Sequence, residues 1–552
     1  MPPLSRRHFL LGATALASLP AWPCLAAGAV LPEPLIEETA ALAASSLTAR
    51  LDRDRHYQPY FHLDLGSDPP EGRHSSWDYV DTAGRFVAAF LALHALNIPV
   101  DREAEEGLRQ FFLAQQAPDG LFYDQAGEWG EEAAETFAQS RALLGLVALF
   151  QAGIPGLEAR IERLVAALSA LLEPLGPGGI LPGRRYRGGW LDRSLTAAGA
   201  SDGIAKPGYG ALAAEPLLRY AARSGSRAAA QLADWLLDGV LASQVIAEDG
   251  RYLGHTHSWG ILPVTLALLE REQQRGDEPL IERARRVFEF TVGQSTPWGW
   301  VPDGIGFAPG YPGGWFCETC GLADLIVLGL RLGQLGYTPA WGHVERFLRN
   351  QLVANQFREV ERVIPPEVAA RSTTNAAAIL RGSFEAWARP NSLLGGFDLL
   401  PHGGLEACCT AAAVLALHEA AQAAITVRAG ATWVELPLTL RSPFATVTSF
   451  EPAVGRLEVE LPAGGALRLR LPAAASSSTV AVAGVRIPRQ PVGGVLALDD
   501  LPPGSRVTVE YPLLERWETR EAGGLTVHAR WRGATVMRLD PPGGRYPIFR
   551  RA

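Results

Sequence analysis

No long basic run occurs in this 552-residue chain, so there is no stripe to neutralise nucleic-acid phosphates. The formal net charge of -8 comes without an acidic tail that would invite a polybasic partner. Beyond the N-terminus, no stretch reaches the roughly 20 uninterrupted apolar residues that a membrane-spanning helix needs. Cysteine is scarce, at five residues. Cys24 follows Pro23, a poor context for lipidation, and the other four gather at two places, Cys317 with Cys320 and Cys408 with Cys409. What remains is globular composition, 47% hydrophobic and 20% charged, enough to bury a large core in two or more domains. These exclusions leave an uncharged small molecule or a glycan as the expected partner.

The chain opens Ser5-Arg6-Arg7-His8-Phe9-Leu10, continues through an apolar stretch to Ala21 and reaches small residues at Ala26 and Ala27. This pattern reads as a twin-arginine export signal over residues 1–27, which places the mature chain in the periplasm or outside the cell. That route carries folded proteins, so thiolates can load a metal in the reducing cytoplasm before export.

From Trp77 to Ala424, helical periodicity alternates with Gly/Pro/Asp loops; Ile161, Leu164, Val165, Leu168 and Leu172 keep the spacing of one apolar helix face. Helices are expected near 81–97, 103–116, 137–152, 209–223, 228–241, 257–273, 279–293, 320–336, 340–354 and 405–424. Loops of one kind recur between them, at Asp119-Gly120, Asp249-Gly250 and Asp303-Gly304, with aromatics close by. Helix hairpins joined by such a loose repeat predict an α/α toroid, a helical barrel over residues 32–424, with loops lining one open end. After Ile425 the period becomes two, as in Leu457-Glu458-Val459-Glu460-Leu461 and Val507-Thr508-Val509-Glu510-Tyr511. Residues 425–552 are therefore expected to form a C-terminal antiparallel β-sandwich, giving a multidomain α+β chain.

Chemistry concentrates where two loops enter helices, at Trp315-Phe316-Cys317-Glu318-Thr319-Cys320 and at Glu406-Ala407-Cys408-Cys409. An extended backbone at the first place puts Glu318 and Cys320 on one side; a helical one puts Cys317 and Cys320 there. Two metal sets follow: Glu318, Cys320, Cys408 and Cys409, a zinc-type site that can leave one thiolate labile, or the four cysteines alone, a closed structural site. Two disulfides are the third arrangement, although adjacent Cys408 and Cys409 pair badly with each other.

The sequence resembles the β-L-arabinofuranosidases of glycoside hydrolase family 127 and their relatives. The resemblance runs over most of the mature chain. It is carried by Gly254-His255-Thr256-His257-Ser258, Gly299-Trp300-Val301-Pro302-Asp303, Cys317-Glu318-Thr319-Cys320, Val344-Glu345-Arg346-Phe347-Leu348-Arg349-Asn350-Gln351-Leu352 and Cys408-Cys409. It implies a zinc ion held by Glu318, Cys320, Cys408 and Cys409, with Cys408 as the nucleophile of a retaining glycosidase acting through a glycosyl-cysteine. The family's acid/base is a glutamate shortly upstream of the Glu-x-Cys; here the best-placed carboxylate is Asp303, with Glu406 the next. His255 and His257 are expected to contact sugar hydroxyls. Trp259, Trp298, Trp300 and Trp315 are candidates for sugar stacking or for the core. Two other functions fit a helical barrel: a polysaccharide lyase or unsaturated uronyl hydrolase working without the cysteines, and a non-catalytic, zinc-stabilised glycan-binding protein.

Overall fold

Fifteen helices, the first starting at Leu35, account for most of the chain up to Ala424 among the described residues. The computed structural model describes residues 35–550 apart from 128, 190, 193–205, 253–255, 306–311, 395–403, 473–474 and 476–477. The expected export signal, residues 1–27, lies outside the described residues. In chain order the helices are α1 Leu35–Ala49, α2 Asp81–Ala95, α3 Arg102–Ala114, α4 Thr136–Gln151, α5 Leu157–Leu171, α6 Lys206–Ala211, α7 Ala214–Ser224, α8 Arg227–Ser243, α9 Ser258–Arg275, α10 Glu278–Gln294, α11 Thr319–Gln334, α12 Pro339–Phe347, α13 Pro366–Ala369, α14 Ala376–Leu380 and α15 Cys408–Ala424.

The helices sort into two kinds. α2, α4, α7, α9, α11 and α15 pack on one another in that order, and α15 packs back on α2. α3, α5, α8, α10, α12 and α1 lie against α2, α4, α7, α9, α11 and α15 respectively. In the second set the apolar stripe is one-sided, as Ile161, Leu164, Val165 and Leu168 of α5 demonstrate by being buried. The first set is buried on most sides and uses glycine where helices approach closely. A Cβ on Gly84 of α2 would sit 2.3 Å from the Arg141 carbonyl oxygen of α4.

Three N-termini of the second set carry a side-chain cap, while α5 and α12 do not. Asp101, Ser226 and Asp277 cap α3, α8 and α10 by accepting first-turn N–H bonds. α2, α4, α11 and α15 have no side-chain cap bond, so the positive ends of their dipoles are left for other partners.

Past Ala424 the chain turns to strands. One sheet orders 425–428, 431–434, 465–470 and 495–501; a second orders 440–441, 446–449, 456–461, 505–510, 479–482 and 485–487. Alternate residues are buried, including Leu457, Val459 and Leu461 in one sheet and Leu467 and Leu469 in the other. The antiparallel expectation needs one correction, because 431–434 pairs in parallel with 465–470. The strands between them belong to the other sheet, so the chain returns by a crossover rather than a hairpin.

A third sheet of 515–522, 525–532 and 535–540 leads back to the helices. A single π-helical turn at Leu348–Leu352, directly after α12, fastens it. Asn350 donates from Nδ2 to the Ala534 carbonyl (2.9 Å) and accepts at Oδ1 from the Val536 N–H (2.8 Å), while Arg349 donates to the Pro437 carbonyl (3.1 Å). These bonds explain why a polar Arg-Asn pair lies buried in an apolar sequence motif.

Candidate metal centre and active site

The chain is extended at Glu318 (φ -88, ψ 130) and becomes helical one residue later, so Glu318 and Cys320 reach the same space from the first turn of α11. Cys408 and Cys409 open α15, which packs on α11, and all four side chains converge. Their ligand atoms lie within 4.8 Å of one another. Cys320 Sγ is 3.6 Å from Cys409 Sγ, Cys408 Sγ is 4.0 Å from Cys409 Sγ, and Cys409 Sγ is 3.9 Å from Glu318 Oε1. All four mature cysteines are free.

This donor set could hold a metal ion, and its dimensions suit zinc. Zn–S bonds of about 2.3 Å in a tetrahedron place sulfurs about 3.8 Å apart. Three buried thiols with a buried carboxylate are a poor arrangement without a cation, because each group would be desolvated with little compensation. Of the four, Cys408 is the most accessible, at 6% against 0% for Cys409.

Cys317 points elsewhere. Its backbone bridges Ala388, and its sulfur accepts from Asn355 Nδ2 at 3.9 Å. Burial pushes its thiol up to about 12. The all-cysteine ligand set is therefore not the one that the fold brings together.

Cations surround the cluster. Arg85 of α2 donates to Asp81 Oδ1 (2.8 Å); burial opposes its charge, but Asp81, Cys320 and Cys408 hold the guanidinium above its usual range. Arg50 is fully buried, and it donates to the carbonyls of Tyr60 (3.0 Å) and Phe61 (3.1 Å). The Phe61 carbonyl also accepts the Ala407 N–H (2.8 Å), which ties Arg50 to the residue before Cys408. Burial lowers Arg50 to about 10, and Cys408, Cys409 and Asp78 act against that fall. Hydrogen bonds from Cys320 and Cys409, with Arg85 nearby, hold the Cys408 thiol well below its ordinary range although burial opposes them. Sequence reasoning missed Arg50 and Arg85. The available signal was a lone arginine in an apolar helical run, with Asp81 four residues before Arg85.

Four carboxylic acids stand close by. Burial first, then the charges of Asp303 and Cys408, raise Glu318 well above its usual value. Glu406 is half-buried, its Oε2 lies 3.9 Å from Cys408 Sγ, and burial and Cys408 raise it. Glu385 is buried; its Oε1 accepts the Trp387 N–H (2.8 Å), and burial raises it to about 8.

Asp303, the fourth, has 0% exposure and is pinned by its backbone, with its N–H on the Phe316 carbonyl (2.8 Å) and its carbonyl accepting from Ser258 (2.8 Å). It is not a turn residue of the Asp119 and Asp249 kind. Gly120 (φ 93) and Gly250 (φ 84) have their counterpart in Gly299 (φ 96), closed by the same pair of backbone bonds at 117–121, 247–251 and 296–300. Asp303 thus falls five residues into its repeat, where the first repeat has the buried Asp124. In each case a strand-like segment follows and ends on a glutamate, Glu135 before α4 and Glu318 before α11.

His257 pairs through its backbone with Gly304, next to Asp303. His255 lies outside the described residues, and so do the side chains of His257 and Trp259. Trp298 and Trp300 are core, with Trp300 Nε1 donating to the Ala388 carbonyl (2.9 Å), whereas Trp315 is 40% exposed and lies against Gly523 and Gly524.

No protein-family model matches the chain, and no curated relative does. Solved structures do. A family 127 β-L-arabinofuranosidase from Geobacillus stearothermophilus T6 is similar over 90% of this chain and 80% of its own, with a TM-score of 0.55 at 14% identity. The chain shares its fold with family 127. A family 127 β-arabinofuranosidase is similar over 91% of this chain and 80% of its own, with a TM-score of 0.59 at 15% identity. A further structure described as a glycoside hydrolase gives the same coverage and TM-score at 12% identity. Among the described residues, no helix is long and apolar enough to cross a membrane.

Proposed function

We propose that this chain is an exported, zinc-dependent retaining glycoside hydrolase that releases β-L-arabinofuranose or a similar furanoside. The observation that carries this reading is the buried convergence of Glu318, Cys320, Cys408 and Cys409, within 4.8 Å, in a chain folded like family 127 glycosidases. In this reading the mutually packed helices α2, α4, α7, α9, α11 and α15 close as the inner wall of an α/α barrel over residues 32–424, and residues 425–552 form a sandwich beside it. Export by the twin-arginine signal at residues 1–27 suits a thiolate site that must be assembled before it meets an oxidising compartment.

A bound zinc would keep its coordinated sulfurs anionic. Cys408, the most exposed of the three clustered cysteines, stands at the positive end of α15 with Arg85 nearby. It forms a bond to the anomeric carbon while the glycosidic C–O bond breaks, and the leaving oxygen takes a proton from a carboxylic acid. Water then adds to the same carbon, gives its proton to that carboxylate, and Cys408 departs as thiolate, so that two inversions retain configuration. His255 and His257 are assigned to sugar hydroxyls.

Asp303 is proposed as the proton donor, and a second reading gives that role to Glu406. Glu406 is favoured by its partial exposure and its 3.9 Å approach to Cys408, while Asp303 is fully buried. Asp303→Asn and Glu406→Gln separate the two. The true acid, once removed, slows substrates with poor leaving groups far more than activated aryl glycosides. Equal losses on both substrates remove a residue from the role.

The reading itself is tested with zinc-loaded mature protein and a panel of aryl furanosides. Turnover with retained anomeric configuration is expected. Tight metal binding without turnover of any glycoside would leave the glycan-binding alternative.

A further inference from the structure

On the face where the C-terminal segment meets the helices, a cleft of about 490 Å³ is lined by Arg362, Arg545, Arg550, Tyr546, Gly543 and Gly544. No carboxylate lines it among the described residues, although the chain as a whole carries a net charge of -8. The Arg362 side chain and the Arg550 backbone are held there by structure. Arg362 stacks over the Tyr546 ring at 4.7 Å, and the Tyr546 hydroxyl accepts the N–H groups of Arg358 (3.1 Å) and Glu359 (2.9 Å). Tyr546 also accepts the Leu393 N–H at its carbonyl (3.1 Å), and Arg550 is fixed by a backbone bridge to Arg538. Glu359 pairs with Arg362 at 2.8 Å from a position 66% exposed, outside the cleft.

The cleft is also close to the candidate active site. Leu65 and Leu394 complete part of its wall. Leu65 follows the strand His62–Asp64, which pairs with Gly404–Glu406 so that His62 stands opposite Glu406. Three residues of extended chain put the Leu65 wall about 10 Å from the Glu406 position. One ligand can span that distance.

We propose that this cleft is a binding site for the carboxylate of a uronic-acid residue in an acidic saccharide whose other end enters the Cys408 site. Guanidinium groups suit the task because they offer paired, planar donors to a carboxylate. Gly544, where a Cβ would meet nothing within 4 Å, leaves the backbone open beside them. Binding energy gained there, far from the reacting bond, would select acidic glycans over neutral ones. This assignment rests on the glycosidase reading only for what happens at the other end of the ligand.

Calorimetric titration of the full mature chain with a galacturonate-containing disaccharide, a neutral disaccharide and inorganic sulfate tests the proposal. The acidic disaccharide should bind at least about tenfold more tightly than the neutral one and weaken with added salt. Arg545→Gln/Arg550→Gln should abolish that preference with little effect on melting temperature, and Arg550→Gln alone should reduce it if the double variant does not fold. Equal binding of acidic and neutral disaccharides, or an unchanged preference in the variants, overturns the proposal. Sulfate binding as tight as the acidic disaccharide makes this a general anion site and overturns the saccharide assignment. The same double variant should hydrolyse neutral aryl furanosides normally. If the wild type hydrolyses none, the proposed function fails while the titration still decides the cleft.

Discussion

At Cys408 and Cys409 the sequence offers two adjacent thiols, and the fold gives them different surroundings. Cys408 has the greater exposure and Glu406 beside it, whereas Cys409 is wholly enclosed between Cys320, Cys408 and Glu318. Cys408→Ser should therefore lose turnover by roughly 10³-fold or more while retaining some metal, because a hydroxyl is a weak nucleophile at neutral pH. Cys409→Ser should lose metal affinity first, with activity partly restored by added zinc. Kinetics alongside metal analysis of both variants checks this division of roles; near-normal turnover by Cys408→Ser contradicts it. Glu385 supplies a pH test. Burial raises its folded pKa to about 8 from the ordinary 4.5, so the folded chain holds a proton that the unfolded chain has released. Stability from this group is full below the unfolded value and declines as pH rises from about 4.5 to about 8, by up to about 1.4 kcal/mol per pH unit. Asp324, raised by burial to about 7, acts in the same sense. Melting temperatures from pH 5 to 8 should fall less steeply for Glu385→Gln than for the wild type; parallel curves would refute the linkage. The Glu-x-Cys and Cys-Cys pairs were readable because metal chemistry restricts residue types. The charges that set their environment, Arg50 and Arg85, were not, because only the packed helices bring them to the sulfurs.

Among the elements, helices with a one-sided apolar stripe could be placed within a few residues, as α5 and α10 were. α1 was missed: Leu35–Ala49 is rich in alanine and small polar residues, and its buried side shows only after it packs on α15. The stretch expected as one helix over 340–354 is α12 plus a π-helical turn, a break made by tertiary bonds from Asn350 rather than by local propensity. Close approach of α2 and α4 gives a test at this scale. Gly84→Ala places a methyl 2.3 Å from the Arg141 carbonyl oxygen, and rigid backbone cannot yield as a side chain would. Chemical denaturation should show a loss of about 1–3 kcal/mol, as overpacked cores do. A change below about 0.5 kcal/mol would mean that the two helices separate easily.

Across the whole molecule, the order of helices then strands was legible from the change of period near Ile425, where α15 in fact ends at Ala424. The return of the last strands to the helices was not, because it depends on the Asn350 bonds to Ala534 and Val536 far along the chain. α11 and α15 pack side by side, and two distant sequence motifs thereby become one ligand set. Quantitative metal analysis of the mature chain, purified without oxygen, tests that claim most directly. The account predicts about one zinc per chain, held by Glu318, Cys320, Cys408 and Cys409, with no disulfide among the four mature cysteines. Metal-free protein in which those cysteines are joined in two disulfides would contradict it.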